Sequence, residues 1–431
     1  MGWIAVSVVA LMTAVVTTVG STVPHCFADN NRNPSRSFNT DLSGISDFGF
    51  DLYRQLSSKG TAKNFFFSPY SIWTALTLTY FGSAGNTKTQ LEASLRVTGK
   101  TSTLRLWRAL EVMYAQRAAS NPQYTFNMAN RVYFDNILHL RPCITNILHK
   151  ELHIVDFSDN YATSTDINEF VSSTTKGRIP ELVSPDDMVD ALMVLVNAAY
   201  FKGTWRYQFK PSSTTTQSFF VSSSHSVDVP MMKLKTNLRL VHSTQLQAKI
   251  LELPYSGDAI SMLLLLPDVE GETGFFNMVS VLSGESLSRV TSGLGSQTVP
   301  VELLLPKFKL EETLNNELKE SLMNLGIRDL FNGTLANLTE FVVRNHLSVS
   351  KTIHKAFVEV SEEGTEAAAA TAVIAYTRSS FSKAHPLVQK FHCVRPFVFL
   401  IHDNHTKNVL FMGAYKNPPR DSRKGGGGRR N

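Results

Sequence analysis

The chain carries twelve histidines and many serines and aspartates, the residue types from which a hydrolase assembles a nucleophile, a base and an orienting carboxylate. Their spacing supports no such site. No G-x-S-x-G turn is present to expose a serine between a strand and a helix. Ser348 to Lys351, SVSK, satisfies S-x-x-K, but its partner motifs are missing and a four-residue match arises by chance. There is no H-E-x-x-H and no close Cys/His cluster to hold a metal. The chain is therefore not read as an enzyme, and no cofactor or metal is expected. The stretch that stands out instead is Glu362 to Arg378, EEGTEAAAATAVIAYTR.

Two apolar runs frame that stretch. Ser348 to Val360 precedes it and Phe391 to Asp403 follows it, and both read as buried strands rich in Val, Ile and Phe. The connection from Glu362 to Lys390 is about 29 residues, too long for an idle loop in a compact domain. Ala367, Ala368, Ala369 and Ala370 favour a helix. In an extended chain, Thr365, Ala367, Ala369, Thr371 and Val373 share one face, and all are small or β-branched. Such a strand could slip between two others with no large side chain in the way. The residues alone leave helix and insertable strand both open.

The run resembles the reactive loop of the serpins, serine protease inhibitors that trap their target by inserting this loop into a sheet. The resemblance extends to FFFSPYSIWTAL (Phe65 to Leu76), NAAYFKGTW (Asn197 to Trp205), LPKF (Leu305 to Phe308), SKTIHKAFVEVSEEGTEAAAATA and FMG (Phe411 to Gly413), in the family's order. It covers about Leu42 to Pro418. It implies an α+β, single-domain fold, with several helices around three β-sheets and an exposed reactive-centre loop.

The resemblance also implies roles. Counted from Glu362, Arg378 is the seventeenth residue, which makes Arg378–Ser379 the bond that the target protease cuts. Antithrombin has an Arg–Ser pair there too. Lys383 competes but lies five residues further along, and the stretch from Ser379 to Phe391 is longer than in antithrombin. Glu362, Glu363, Gly364, Thr365, Glu366 and the four alanines Ala367 to Ala370 form the hinge. Ser68, Ser71, Asn197 and His354 match the polar cluster under the centre of the sheet. Trp205, Lys307 and Glu362 match its top, where the charges of Lys307 and Glu362 can pair. Ser68 also reads as a helix cap and His354 as a satisfied core histidine. One departure is Val394, where the family has Asn or Asp. The partner so implied is a trypsin-like serine protease, held covalently by a monomeric inhibitor. The alternative is a non-inhibitory carrier or chaperone, but such members have bulky or charged hinge residues where this chain has Thr365 and alanines.

These residues need a scaffold. Nothing between Leu42 and Pro418 reads as a linker, and the 43% hydrophobic share is ample for one large core. Leu42, Ile45, Phe48, Leu52 and Leu56 recur at helical spacing, with Gly60 as a stop. Ser68–Pro69 starts a second helix, and GSAGNTKTQL reads as a Gly-rich turn between helices. Thr103 to Ala118, Thr163 to Lys176 and Thr313 to Leu325 read as helices. Arg105, Arg108 and Arg117 are too few to make the first of these a polyanion site. Tyr124 to Phe134, Ala191 to Phe201 and several segments of Phe219 to Leu266 read as strands.

The ends differ from the body. Trp3 to Val19 is apolar and uncharged, and reads as a secretory leader within residues 1–28, cut between residues 20 and 28. An uncleaved anchor is the alternative. Cys26 can leave with the leader, and the sequence does not say whether Cys143 and Cys393 pair. Net charge is +6, and the Gly-rich tail from residue 419 contributes +4 of it through Arg420 to Asn431. The body is not broadly basic, so nucleic acid is not an expected partner. The tail is expected to be disordered, with weak binding of acidic polysaccharide as its one further role. Asn332, Asn337 and Asn404 begin N-x-S/T sequons, and Asn404 is expected on an exposed turn between strands.

Overall fold

A computed structural model of the 431-residue chain describes residue 26 and residues 42–58, 63–120, 123–343, 347–365 and 387–418. Apart from Cys26, the expected leader lies outside the described residues, as do the tail from residue 419, Glu366 to Ala370, and the Arg378–Ser379 bond.

Helices dominate the first third. They are α1 (Ser43–Ser58), α2 (Pro69–Gly82), α3 (Gly85–Leu95) and α4 (Lys100–Ser120), with β1 (Phe65–Phe67) after α1. The next part alternates: β2 (Tyr124–Asp135), α5 (Pro142–Ile147), β3 (Leu152–Val155), α6 (Asn160–Thr174) and β4 (Met193–Thr204). Strands then take over: β5 (Thr215–Ser222), β6 (His225–Ser243), β7 (Ala248–Pro254) and β8 (Ile260–Pro267). After α7 (Gly271–Ser280) and α8 (Gly284–Gly293) come β9 (Val299–Pro306), β10 (Phe308–Leu314) and α9 (Asn316–Asn324). The chain closes with β11 (Lys351–Val360), β12 (Gly364–Thr365), β13 (Gln389–His392), β14 (Phe397–Asp403) and β15 (Val409–Tyr415).

The strands build one six-stranded sheet, ordered β10-β11-β12-β4-β2-β3, and a nine-stranded system, ordered β1-β15-β14-β8-β7-β6-β9-β13 with β5 on β6. The nine-stranded system is two sheets joined by the 19-residue β6, which pairs with β5 at its N-terminal end, with β9 over its middle and with β7 at its C-terminal end. The fold is the expected α+β arrangement of helices around three sheets.

Every residue of α2 is buried, so this helix runs through the molecule's interior. Its polar residues survive there because Thr74 and Thr77 each donate to a carbonyl one turn back, at 2.8 and 2.7 Å. Its start is capped as the sequence implies: Ser68 Oγ accepts from the Ser71 N–H at 3.1 Å, and Pro69 holds the first turn. β4 is buried on both faces because it separates two cores. Leu195, Ala199 and Phe201 pack into the main one, while Val194, Val196, Ala198 and Tyr200 face a second one under Ile167 and Val171 of α6.

Several expectations need correction. Between α2 and α3 only Ser83 and Ala84 are non-helical, and GNTKTQL is already α3. The run Phe391 to Asp403 is two strands in different sheets, divided at Cys393 to Pro396, where Pro396 has no N–H for a ladder. α9 starts at Asn316 rather than Thr313, because β10 pairs with β11 as far as Leu314. The pairing that the sequence left open is Cys26 with Cys143, and Cys393 is a buried free thiol. Asn404 is half-buried, not an open turn residue: its Nδ2 donates to Asp258 O and Ser261 Oγ, both at 2.8 Å.

Candidate functional site

The seam between β11 and β4 is the centre of the six-stranded sheet. The two strands pair in parallel from Lys351–Val194 to Phe357–Tyr200. Beyond that point they part, and β12 enters the gap. Thr365 pairs with Val360 on one side and Gly203 on the other. Thr365 is fully buried, and its Oγ1 lies 2.6 Å from the Tyr255 hydroxyl. Burial holds that phenol above its ordinary pKa, so it stays neutral and can share its proton with the threonine. Tyr255 is itself fixed by stacking on Trp205, with ring centroids 4.4 Å apart.

The segment leading into the gap is tied down atom by atom. Glu362 accepts from Lys307 Nζ at 2.8 Å and from Thr214 Oγ1 at 2.9 Å. Partial burial pushes the Glu362 carboxyl up, but the hydrogen bonds from Lys307, its own backbone N–H and Thr214 outweigh that and hold it below the usual value. The carbonyls of Glu362 and Glu363 accept from the backbone N–H groups of Phe209 and Trp205. Trp205 Nε1 donates to Ser361 O at 2.9 Å. Gly364 turns the chain at φ +156°, and a Cβ there would lie 2.1 Å from Gly203 O. Only glycine fits at that point.

Lower on the same seam lies a buried polar cluster. His354 of β11 is the register partner of Asn197 of β4, and Asn197 in turn faces Asn130 of β2. His354 Nε2 accepts the Ser68 N–H at 3.0 Å, so Nδ1 carries the proton and donates to Asn197 Oδ1. Asn197 Nδ2 donates to Ser71 O at 3.0 Å, to Ser71 Oγ at 2.6 Å and to Asn130 Oδ1. Burial lowers the His354 pKa to about 3, so the ring is neutral at ordinary pH. Ser68 Oγ donates to Leu410 O at 2.6 Å, linking the cluster to β15.

The structure thus brings Ser68, Ser71, Asn197 and His354 into one network, and Trp205, Lys307 and Glu362 into another. Glu362, Glu363, Gly364 and Thr365 lead into the seam. Glu366, Ala367, Ala368, Ala369, Ala370, Arg378 and Ser379 lie outside the described residues. Sequence reasoning missed Asn130, Thr214 and Tyr255 as members of these networks. Asn130 had a signal: it is a lone amide on a strand face otherwise made of Phe126, Met128, Val132 and Phe134. Thr214 and Tyr255 had none, since a surface threonine and a core tyrosine are ordinary. Among the described residues no group of His, Cys, Asp and Glu could hold a metal.

Residues 43–418 match a family model described as Serpin (serine protease inhibitor). The chain is 39% identical to Ipis-1 of Ixodes persulcatus, over 86% of this chain and 97% of that protein. It is 36% identical to the leukocyte elastase inhibitor of Homo sapiens, over 87% of this chain and 99% of that protein. Among solved structures it resembles maspin, with a TM-score of 0.77 at 27% identity over 87% of this chain and 98% of that one. It also resembles uncleaved ovalbumin, with a TM-score of 0.74 at 28% identity over 87% and 99%. Family model, relatives and fold agree: the chain belongs to the serpin family of serine protease inhibitors.

Proposed function

We propose that this chain is a secreted suicide-substrate inhibitor of trypsin-like serine proteases, cut after Arg378. The observation that carries the proposal is Thr365 seated between β11 and β4. The first residue that must enter the sheet already occupies an otherwise parallel seam, and the small residues that follow it in sequence can continue along that path. A trypsin-like enzyme suits Arg378 because its pocket carboxylate pairs with a guanidinium.

The protease serine attacks the Arg378 carbonyl, the peptide bond breaks, and the Ser379 amine leaves with the proton passed on by the enzyme's histidine. Arg378 is then esterified to the enzyme. The freed segment from Thr365 enters the seam as a new strand. Each backbone hydrogen bond gained contributes about 0.5–1.5 kcal/mol. About ten residues therefore supply several kcal/mol or more, and the tethered enzyme is carried off before water can release it. The uncut form is a kinetic trap.

Secretion is supported by the apolar run Trp3 to Val19 and by the Cys26–Cys143 disulfide, a bond that belongs to oxidising compartments. For Cys26 to remain in the mature chain, the leader must be cut upstream of it, at the Gly20–Ser21 end of the expected range.

Incubation with trypsin followed by a denaturing gel tests the reading. A stable band at the summed mass supports the inhibitor. A clipped chain with free, active enzyme sinks it and promotes the carrier alternative. Cleavage should also raise the melting temperature, since insertion completes the sheet, whereas ordinary nicking leaves it unchanged or lower.

A further inference from the structure

Three sequons lie in the described part of the chain, and the fold treats their asparagines differently. An N-linked glycan takes the place of one hydrogen on the side-chain nitrogen and needs open solvent around it. Transfer joins a sugar C1 to Nδ2 and breaks the C1–O bond of a lipid-linked sugar pyrophosphate; the lipid pyrophosphate departs as the leaving group and the amide proton goes to a base.

Asn404 does not suit that product. Its Nδ2 hydrogens are both used, on Asp258 O and on the buried Ser261 Oγ, and its backbone N–H donates to Ala259 O at 2.9 Å. A glycan would cost the half-buried side chain at least one of these two hydrogen bonds. Asn337 is also held. Its backbone N–H donates to Thr87 Oγ1 at 3.0 Å and its carbonyl accepts from Ala84 N at 2.9 Å. Its Nδ2 lies against the start of α3, 3.1 Å from where a Gly85 Cβ would be.

Asn332 is different. It is exposed, and Gly333, Thr334 and Leu335 after it are exposed too. Its Oδ1 accepts from the N–H groups of Thr334 and Leu335, at 2.9 and 3.1 Å, which fixes the side chain in an Asx turn. Its Nδ2, like that of Asn337, makes no hydrogen bond among the described residues, but only the Asn332 side chain is exposed to solvent.

We propose that Asn332 is the N-glycosylation site of this protein and that Asn337 and Asn404 remain unmodified in the folded chain. The assignment rests on the secretion reading. It also places the glycan away from the hinge. Val349 N donates to Leu330 O, which puts Asn332 beside the start of β11. Thr365 lies beyond the other end of that 10-residue strand, roughly 30 Å away at about 3.3 Å per residue. A glycan there leaves the loop open to a protease.

The test expresses the full chain in a secreting eukaryotic host and treats the medium with peptide N-glycosidase. Wild type, Asn337→Gln and Asn404→Gln should each lose the mass of one glycan, and Asn332→Gln should lose none. Trypsin inhibition by Asn332→Gln should equal that of wild type. A mass loss that persists in Asn332→Gln, or that disappears in either other variant, overturns the assignment, as does secreted wild type with no glycan. The same variants behind a foreign leader separate the two claims. Export only with the foreign leader defeats the secretion reading, while the glycosidase result still decides the site.

Discussion

His354 and Asn197 face each other across the parallel β11–β4 ladder, joined by an Nδ1–Oδ1 hydrogen bond. These are the two strands that the proposed insertion would have to part. The bond ties β11 to β4 at mid-ladder, and it depends on a neutral imidazole whose Nε2 accepts from Ser68 N.

That neutrality has a pH consequence. The folded-state pKa of His354 is lowered to about 3, below the ordinary value of 6.5. Between those values the unfolded chain takes up a proton that the folded chain refuses, so stability is fully present above pH 6.5 and falls as pH drops toward 3. His354→Gln should be less stable at pH 7, having lost a buried hydrogen-bonded ring, and should show a shallower loss of stability from pH 6.5 to 4. Urea midpoints across that range check this, and parallel wild-type and variant curves would count against it.

Tyr255→Phe should loosen the hinge without unstacking Trp205. It removes the hydroxyl 2.6 Å from Thr365 Oγ1 and leaves a buried hydroxyl unpaired, at a cost of about 1–2 kcal/mol. Amide exchange at Gly364 and Thr365 should quicken by about tenfold or somewhat more. Unchanged protection would mean that the backbone pairs to β11 and β4 alone hold β12.

Arg378→Ala should abolish trapping of trypsin and leave the melting temperature of the uncut protein within about 1 °C of wild type, since a loop side chain adds little to the core. A covalent complex formed by this variant would move the assigned bond, with Lys383 the next candidate.

Thr365→Arg should separate cutting from trapping. A guanidinium forced into the fully buried Thr365 position costs several kcal/mol, enough to slow insertion by orders of magnitude. Under the proposed mechanism the variant should still be cut after Arg378, and the enzyme should be released. The ratio of complex to clipped chain on a gel is the readout, and a ratio equal to that of wild type would sink the insertion mechanism.

Lys307→Ala should raise the Glu362 pKa toward its ordinary value, because the ammonium at 2.8 Å is one of the groups that hold it down. The pair is partly exposed, so the stability loss at pH 7 should stay below about 1 kcal/mol. Titration of Glu362 by carbonyl-labelled NMR checks the direction, and an unmoved pKa would leave Thr214 and the backbone as its only support.

Much of this protein is decided within short spans of chain. Ser68 and Pro69 cap and start α2 in any context, the apolar run of β4 demands burial on both faces, and the ordered blocks from Phe65 to Gly413 mark the family. Local propensity and side-chain period act over a few residues, so they can be read along a line. The working parts of the seam cannot. Tyr255 meets Thr365 across 110 residues, and Asn197 meets His354 across 157. Cys26 finds Cys143 across 117 residues. Sequence could name His354, Asn197, Lys307 and Glu362 only through family resemblance, and it had no means of finding Tyr255 or Thr214. It also put Asn404 in the open, because a polar turn between strands looks exposed until Asp258 and Ser261 are folded against it. Whether a side chain is buried, and which of several acceptors it finds, depends on segments far away in the chain, so those contacts exist only once the sheets have closed around α2.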